Sequence, residues 1–263
     1  MDAGIKTRMK ISLENQVAVV TGGSRGIGAA TVKLFAQAGC NVVFSYLRAR
    51  KAAQELEKLC SKTPGSATPV RADVSKPADA KKLVDSAIRR FGRLDILVAN
   101  AGIWNAEPQR IDAITERDWD QMVDVNLKGV YAVVRFAVPH MIAQNNGRIV
   151  AVSSTAGQRG EAFHSHYAAA KGGVISLVKS LSTELAPHNI LVNAVAPGWL
   201  ITDMAEPVLR NASEKRKVTG SIPLHRFGTP EEVAMPILFL ASNMSTYMTG
   251  EIININGGNV LCG

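Results

Sequence analysis

Cysteine, aromatic residues and long apolar runs are all scarce in this chain, and each scarcity removes a class of protein. The 263 residues include three cysteines, Cys40, Cys60 and Cys262. That number is odd, the spacing is not that of a metal site, and two of the three lie inside apolar patterns. A disulfide framework is therefore not expected, and a reducing compartment, the cytoplasm, is. Aromatic residues make up only 5% of the chain, too few to interleave with basic side chains as a nucleic-acid platform requires. No uncharged apolar run reaches the roughly 18 residues of a membrane-spanning helix. The longest candidate, His188 to Thr202, is interrupted by Asn193, Pro197 and Gly198 and reads as a buried strand followed by a turn. Lys6, Arg8 and Lys10 have no apolar stretch behind them, so no secretory signal is expected and residues 1–10 are taken as a flexible tail.

What remains is ordinary for a folded protein: 46% hydrophobic, 20% charged, with a formal net charge of +8. The basic residues are scattered rather than striped, which fits an enzyme of phosphorylated ligands better than a nucleic-acid binder. Short β-branched runs alternate with longer amphipathic stretches. Strands are predicted at Val17–Thr21, Asn41–Ser45, Ala67–Arg71, Leu94–Ala99, Gly147–Val152, Asn189–Ala196 and Ile252–Asn256. Between them, helices are predicted at Gly26–Gly39, Ala49–Ser61, Pro77–Arg90, Trp119–Gln144 (one long helix), Tyr167–Ala186 and Glu231–Leu240. Continuous Val/Ile/Leu strands alternating with helices imply an α/β fold: one Rossmann-like, doubly wound domain over residues 11–263, with about seven parallel strands and helices on both faces. The polar stretch Ile201–Gly228, carrying Pro207 and Pro223, breaks the alternation and is expected to be a lid.

The first strand runs into Thr21-Gly22-Gly23-Ser24-Arg25-Gly26-Ile27-Gly28. Glycines between a first strand and a first helix let the backbone and the helix N-terminus approach a pyrophosphate. The spacing is Gly-x3-Gly-x-Gly rather than the common dinucleotide fingerprint. The adenosine end is readable from charge, because an acid past the glycines holds a ribose 2′-hydroxyl whereas an arginine accommodates a 2′-phosphate. No Asp or Glu occurs from Asn15 to Gln54, the second strand ends in Ser45-Tyr46-Leu47-Arg48, and Arg25 lies in the glycine loop. These residues favour NADP(H) over NAD(H), although Arg48 and Arg50 would also serve as solvated helix-start residues.

From about Ile11 onward the chain resembles the short-chain dehydrogenase/reductase family. The likeness is carried by the glycine loop, Asn100-Ala101-Gly102, Asn126, Ser154, Tyr167-Ala-Ala-Ala-Lys171, Pro197-Gly198, Thr202 and Asn256-Gly-Gly258, all in family order. Within the family it looks most like the 3-oxoacyl-carrier-protein reductase type, including Leu224-His-Arg-Phe-Gly-Thr-Pro-Glu-Glu-Val233.

The resemblance implies that Asn126, Ser154, Tyr167 and Lys171 are catalytic. Tyr167 and Lys171, four apart on a predicted helix, share one face, and a neighbouring ammonium together with a cationic nicotinamide would lower the phenol's pKa. Tyr167 would donate the proton in carbonyl reduction, Ser154 (with Ser153 as the competing candidate) would polarise the carbonyl, and Lys171 would also hold the nicotinamide ribose. Asn126 would supply a main-chain carbonyl to a proton relay, or simply tie two elements together. Cofactor contacts are expected from Gly22, Ser24, Arg25, Gly26, Ile27, Gly28, Tyr46, Arg48, Asp73, Val74, Asn100, Ala101, Gly102, Tyr167, Lys171, Pro197, Gly198 and Thr202. Asp73 and Thr202 would equally serve as turn caps. His164 and His166, at i, i+2 with no acidic or Cys partner nearby, read as loop histidines rather than metal ligands.

Substrate contacts are expected from Ser154, Arg159, Phe163 and Trp199, with Trp104 adding to an apolar mouth. The function implied is NADPH-dependent reduction of a carbonyl, a 3-oxoacyl thioester first, by a homotetramer. The alternatives are a dehydrogenase of an alcohol, polyol, sugar or steroid, and a non-catalytic dinucleotide sensor. One departure bears on the carrier: where family reductases tend to carry basic docking residues, this chain has Asn145-Asn146 and His188, with Arg148 and Lys179 remaining nearby.

Overall fold

Strands with no polar alternation need apolar cover on both sides, and the computed structural model, which describes residues 11–261, supplies it. The N-terminal tail expected at residues 1–10 and Cys262 lie outside the described residues. Seven strands form one sheet: β1 (Val17–Val20), β2 (Asn41–Tyr46), β3 (Ser66–Arg71), β4 (Ile96–Ala99), β5 (Gly147–Val152), β6 (Ile190–Pro197) and β7 (Ile252–Ile255). Their spatial order is β3-β2-β1-β4-β5-β6-β7, and every neighbouring pair is parallel.

Alternate residues of each strand feed two separate cores. Val17, Val19, Leu97, Ile149 and Val192 pack on one face, beneath α3 (Pro77–Phe91) and its neighbours. Ala18, Val20, Ile96, Val98 and Val150 pack on the other, beneath α1 (Gly26–Gln37) and α2 (Arg50–Cys60). Strand order reverses beside β1, so the connections leaving β1 and β4 diverge and open a crevice at the carboxyl ends of the strands. The chain is thus a seven-stranded doubly wound domain, as its alternation of runs predicts.

Two segments differ from expectation. The predicted helix Trp119–Gln144 is three pieces: α4 (Glu116–Val123), a single π-helical turn (Asp124–Lys128) and α5 (Gly129–Gln144). At the wide turn the Gly129 N–H donates to the Asp124 carbonyl, and the Asn126 side chain donates to the Met122 carbonyl at 3.0 Å. A side chain entering the carbonyl ladder is a known companion of such turns, which gather at functional sites. Apolar periodicity barely registers one inserted residue, so the sequence shows an unbroken helix there.

The second segment is Ile201–Gly228, which is largely helical rather than loop. After α6 (Thr155–Arg159) and α7 (Ser165–Leu185), it contributes α8 (Glu206–Arg210) and α9 (Ala212–Ser221) before α10 (Pro230–Ala241). Its base is pinned: Ile201 N–H donates to the Gly228 carbonyl at 2.8 Å, and Gly228 N–H to the Trp199 carbonyl at 3.0 Å. Neither α8 nor α9 has a buried residue. With nothing to bury, these helices carry no amphipathic period for a sequence reading to find.

Candidate active site

The glycine loop takes its shape from contacts that exclude side chains. A Cβ on Gly28 would fall onto the Gly22 carbonyl oxygen, so α1 approaches the end of β1 only because position 28 has none. The loop is then tied from both flanking strands. Gly22 N–H donates to Ser45 Oγ at 2.9 Å, and Asn100 Nδ2 donates to the Thr21 carbonyl at 2.8 Å. Thr21 Oγ1 accepts from the N–H groups of both Asn100 and Ala101 at 2.9 Å. Asn100, expected at the cofactor, thus spends its side chain on holding the loop.

Helix α1 opens with no side-chain cap and no acid in its first turn. Its N–H groups and positive dipole end face the crevice uncompensated, the arrangement that receives a phosphate. Arg25 and Arg48 are exposed at the same end, beside Tyr46, Asp73 and Val74. Arg25 reaches across to Asp203 near the start of the 201–228 segment, 3.4 Å away. Asp73 is both cleft-lining and a turn cap: its Oδ1 accepts from Ser75 Oγ at 2.7 Å. Thr202 lines the cleft and its side chain caps nothing.

At the other end, β5 and α7 bring the reactive groups together. Ser153 is committed to structure, its Oγ donating to the Lys171 carbonyl at 2.9 Å. Ser154 caps α6, accepting from Ala156 N–H at 3.1 Å, and remains within hydrogen-bonding reach of the Tyr167 hydroxyl. Lys171 is buried and donates to the Val152 carbonyl at 2.9 Å. Gly102 makes room for this cluster, since a Cβ there would stand 2.8 Å from Asn126 Oδ1 and 3.3 Å from Lys171 Nζ. Asn126 is fully buried and clamps the loop after β4: its Oδ1 accepts from Ile103 N–H at 3.1 Å and its Nδ2 donates to the Ile103 carbonyl at 3.0 Å. The linking role weighed for this side chain is the one its hydrogen bonds perform.

Electrostatics within the chain depart from the expectation of a phenol lowered by its lysine. Burial pushes the Tyr167 phenol above its ordinary value; the Ser154 hydrogen bond opposes this and the Glu161 charge reinforces it. Lys171 itself is pushed down to about 8 by burial. Its Nζ sits 5.9 Å from the centre of the Tyr167 ring and points at a carbonyl, so desolvation outweighs mutual attraction.

These groups line one cleft of about 1130 Å³ that runs from Arg48 past the glycine loop to Tyr167 and on to residues 202–205. All four catalytic candidates lie in it, with every cofactor candidate except the buried Gly28. Of the substrate candidates, Ser154 and Trp199 line it, whereas Arg159 and Phe163 do not. Arg159 is exposed and paired with Glu161 Oε2 at 2.7 Å, and Phe163 is 56% exposed at φ 64°. Arg159 ends α6 and Phe163 lies on the α6–α7 connection; they were candidates as a cation and as an apolar side chain for the substrate, but the chain turns them outward. Trp104 does line the cleft. Arg148, weighed for carrier docking, is half-buried at the start of β5, with Nη1 unpartnered and its pKa lowered by that burial. No group of residues able to hold a metal ion occurs among the described residues, nor any helix long and apolar enough to cross a membrane.

A doubly wound sheet with a phosphate-ready helix and a Ser–Tyr–Lys cluster along one crevice defines a nicotinamide-dinucleotide oxidoreductase. Comparison with known proteins agrees. A family profile described as enoyl-(acyl carrier protein) reductase matches residues 22–259. The 3-oxoacyl-[acyl-carrier-protein] reductase FabG of Thermotoga maritima is 44% identical over 249 residues, covering 95% of this chain and 99% of the relative. That of Chlamydia muridarum is 39% identical over 250 residues, with the same coverage. Among solved structures, a short-chain dehydrogenase/reductase from Brucella melitensis titled glucose/ribitol dehydrogenase superposes with a TM-score of 0.88 at 34% identity, covering 97% of this chain and all of that one. The chain belongs to the short-chain dehydrogenase/reductase family and is an oxidoreductase.

Proposed function

We propose that the protein is an NADPH-dependent 3-oxoacyl thioester reductase. The reading is carried by one observation: a single cleft joins an uncapped, acid-free helix N-terminus to the Ser154–Tyr167–Lys171 cluster. The names of the curated relatives point to the substrate class. Arg25 and Arg48, with no acid anywhere between Asn15 and Gln54, favour a 2′-phosphate over a bare ribose.

The α1 N-terminus and Gly22–Gly28 would hold the pyrophosphate, Arg25, Tyr46 and Arg48 the phosphorylated ribose, Asp73 and Val74 the adenine. Ala101, Gly102, Pro197, Gly198, Thr202 and Lys171 would hold the nicotinamide riboside. When bound, this cofactor supplies the hydride. The chain supplies the rest. Ser154 Oγ donates to the carbonyl oxygen as negative charge grows there, and the Tyr167 hydroxyl passes its proton to the same oxygen, leaving the secondary alcohol. The protonated Lys171 steadies the phenolate left behind. The phenolate recovers a proton from Lys171, which is reprotonated along a relay anchored at the Asn126 main-chain carbonyl. The chain works as a homotetramer in the cytoplasm, and the lid at 201–228 closes over the acyl group.

The test is consumption of NADPH and NADH with acetoacetyl thioesters, beside ketones and polyols. The expected result is fastest turnover with the thioester and NADPH. Strong activity on one polyol with none on thioesters would overturn the substrate assignment. Light scattering that returns the mass of one chain would overturn the tetramer.

A further inference from the structure

Only three tryptophans occur in the sequence, and two of them meet in the cleft. Trp104, four residues beyond Asn100 on the loop after β4, stands edge-on to Trp199, which follows Pro197-Gly198 at the end of β6. Their ring centres are 5.7 Å apart at 88°. Trp199 in turn meets Phe227 at the base of the lid edge-on, at 6.2 Å and 71°. The other side of the wall is backed by His164, whose ring stacks on Trp104 at 5.1 Å and 26°. Four segments distant in sequence are thereby joined through aromatic faces and edges in favourable geometry.

His164 is the unexpected member. It is 8% exposed and does not line the cleft. Its Nδ1 lies 3.2 Å from the Ala162 carbonyl, so the tautomer with Nδ1–H donates there and leaves Nε2 as a buried nitrogen without a partner. A buried polar atom left unpaired costs stability, so hydrogen bonding alone does not account for an imidazole at this position. Its flat face does, because it gives Trp104 a surface to rest on. Trp104 itself sits on an irregular loop. The rings on either side define its orientation.

We propose that His164 is a positioning residue for Trp104, and that the Trp104–Trp199 wall so fixed determines specificity by limiting the acyl chain accepted beside Tyr167. A wall of aromatic faces and edges suits a short, straight 3-oxoacyl chain better than a polyol, because it offers no acceptors and only the indole N–H groups as donors. The proposal rests on the carbonyl-reductase reading above and refines its substrate class. His164 reaches the substrate only through Trp104, so replacing it changes selectivity rather than the chemical step.

The experiment measures kcat/KM for 3-oxoacyl thioesters of increasing chain length on the wild type, Trp104→Ala, His164→Ala, His164→Phe and the Trp104→Ala/His164→Ala double variant. The expected result is a short-to-long preference reduced about tenfold in each alanine variant, in the range a pocket wall commands over added methylenes. His164→Phe, which keeps a flat face, retains the wild-type preference. The double variant is no worse than Trp104→Ala alone, because the two act through one wall. NADPH affinity, read by quenching of protein fluorescence, stays at the wild-type value in His164→Ala and certifies its fold. An unchanged chain-length profile in His164→Ala, additive effects in the double variant, or a His164→Phe variant that behaves like His164→Ala would each overturn the proposal. A wild type inactive on every thioester but active on simple ketones overturns the thioester assignment alone. The same ratio is then read along a series of linear ketones, where an unchanged His164→Ala profile again overturns the wall.

Discussion

The two ends of the cleft are built by different means. The phosphate end is main chain: glycines that bring α1 against β1, an uncapped helix N-terminus, and Asn100 and Ser45 pinning the loop. The substrate end is side chain: Trp104, His164, Trp199 and Phe227 arriving from four separate segments. A site made of backbone has little freedom in residue type, since a Cβ at Gly28 meets a carbonyl whatever the substrate. A wall of packed rings is free to change wherever volume and shape are conserved. The first construction suits a cofactor common to a family, and the second suits the variable partner. Between them lies the Ser154–Tyr167–Lys171 cluster, which belongs to neither and is the most severe place to test the division.

Tyr167→Phe should have the largest effect. The ring is retained, so packing and cofactor affinity persist, while the proton donor is lost. A drop in kcat of about 10²- to 10⁴-fold with KM nearly unchanged is expected, the range ascribed to general acid catalysis. Steady-state kinetics beside NADPH titration check it. Wild-type turnover in this variant would remove Tyr167 as the proton donor and would make the middle of the cleft structural.

Lys171 comes next, and its sign follows from burial. Its folded pKa of about 8 lies below the reference value of 10.5. Below pH 8 the folded protein carries the whole cost of the buried charge. As pH rises from 8 to 10.5 the folded lysine is neutral while the unfolded one still binds a proton, so this group's contribution to stability rises with pH. Integrated over the gap, the linkage is about 3 kcal/mol. Lys171→Met removes it, so its stability relative to wild type should be highest at neutral pH and fall steadily towards pH 10.5. Paired denaturant melts across that window read the difference directly. A difference that does not change with pH would mean that Lys171 carries no buried charge. In the wild-type enzyme, carbonyl reduction should decline above about pH 8 as the ammonium is lost.

This division also governs how much of the site was legible in the sequence. The seven strands, the sheet's parallel sense and the glycine loop follow from β-branched runs and glycine placement, because local sterics impose them. Ser154, Tyr167, Lys171 and Asn126 were named through the family resemblance, and the structure brings all four to one cleft. The π-turn at Asp124–Lys128 was not, because one extra residue per turn hardly disturbs a helical period. Arg159 was named as a cation and Phe163 as an apolar side chain for the substrate, but the end of α6 and the connection ahead of α7 turn both outward. His164 was passed over as a loop histidine. A signal was present, in that His164 and Trp104 are both bulky flat residues on loops that a doubly wound sheet brings together at its carboxyl edge, but pairing them required the fold. The substrate end therefore emerges from tertiary contacts where the phosphate end emerges from local ones.

Arg48 offers the gentlest test of the phosphate end, because there the main-chain construction gives way to a single exposed side chain. It lines the cleft, has no ion-pair partner among the described residues, and follows β2, where an acid would instead select the unphosphorylated ribose. Arg48→Ala should leave NADH affinity unchanged and weaken NADPH about tenfold, the value of one charge-assisted hydrogen bond to a phosphate at an accessible site. Because the guanidinium is solvated, the NADPH advantage of the wild type should shrink as salt is raised, and the variant should show less of that dependence. Fluorescence titrations of both cofactors at low and high ionic strength separate the outcomes. Equal loss for NADPH and NADH would mean that Arg48 shapes the loop rather than reading the phosphate, and the cofactor end would then be backbone throughout.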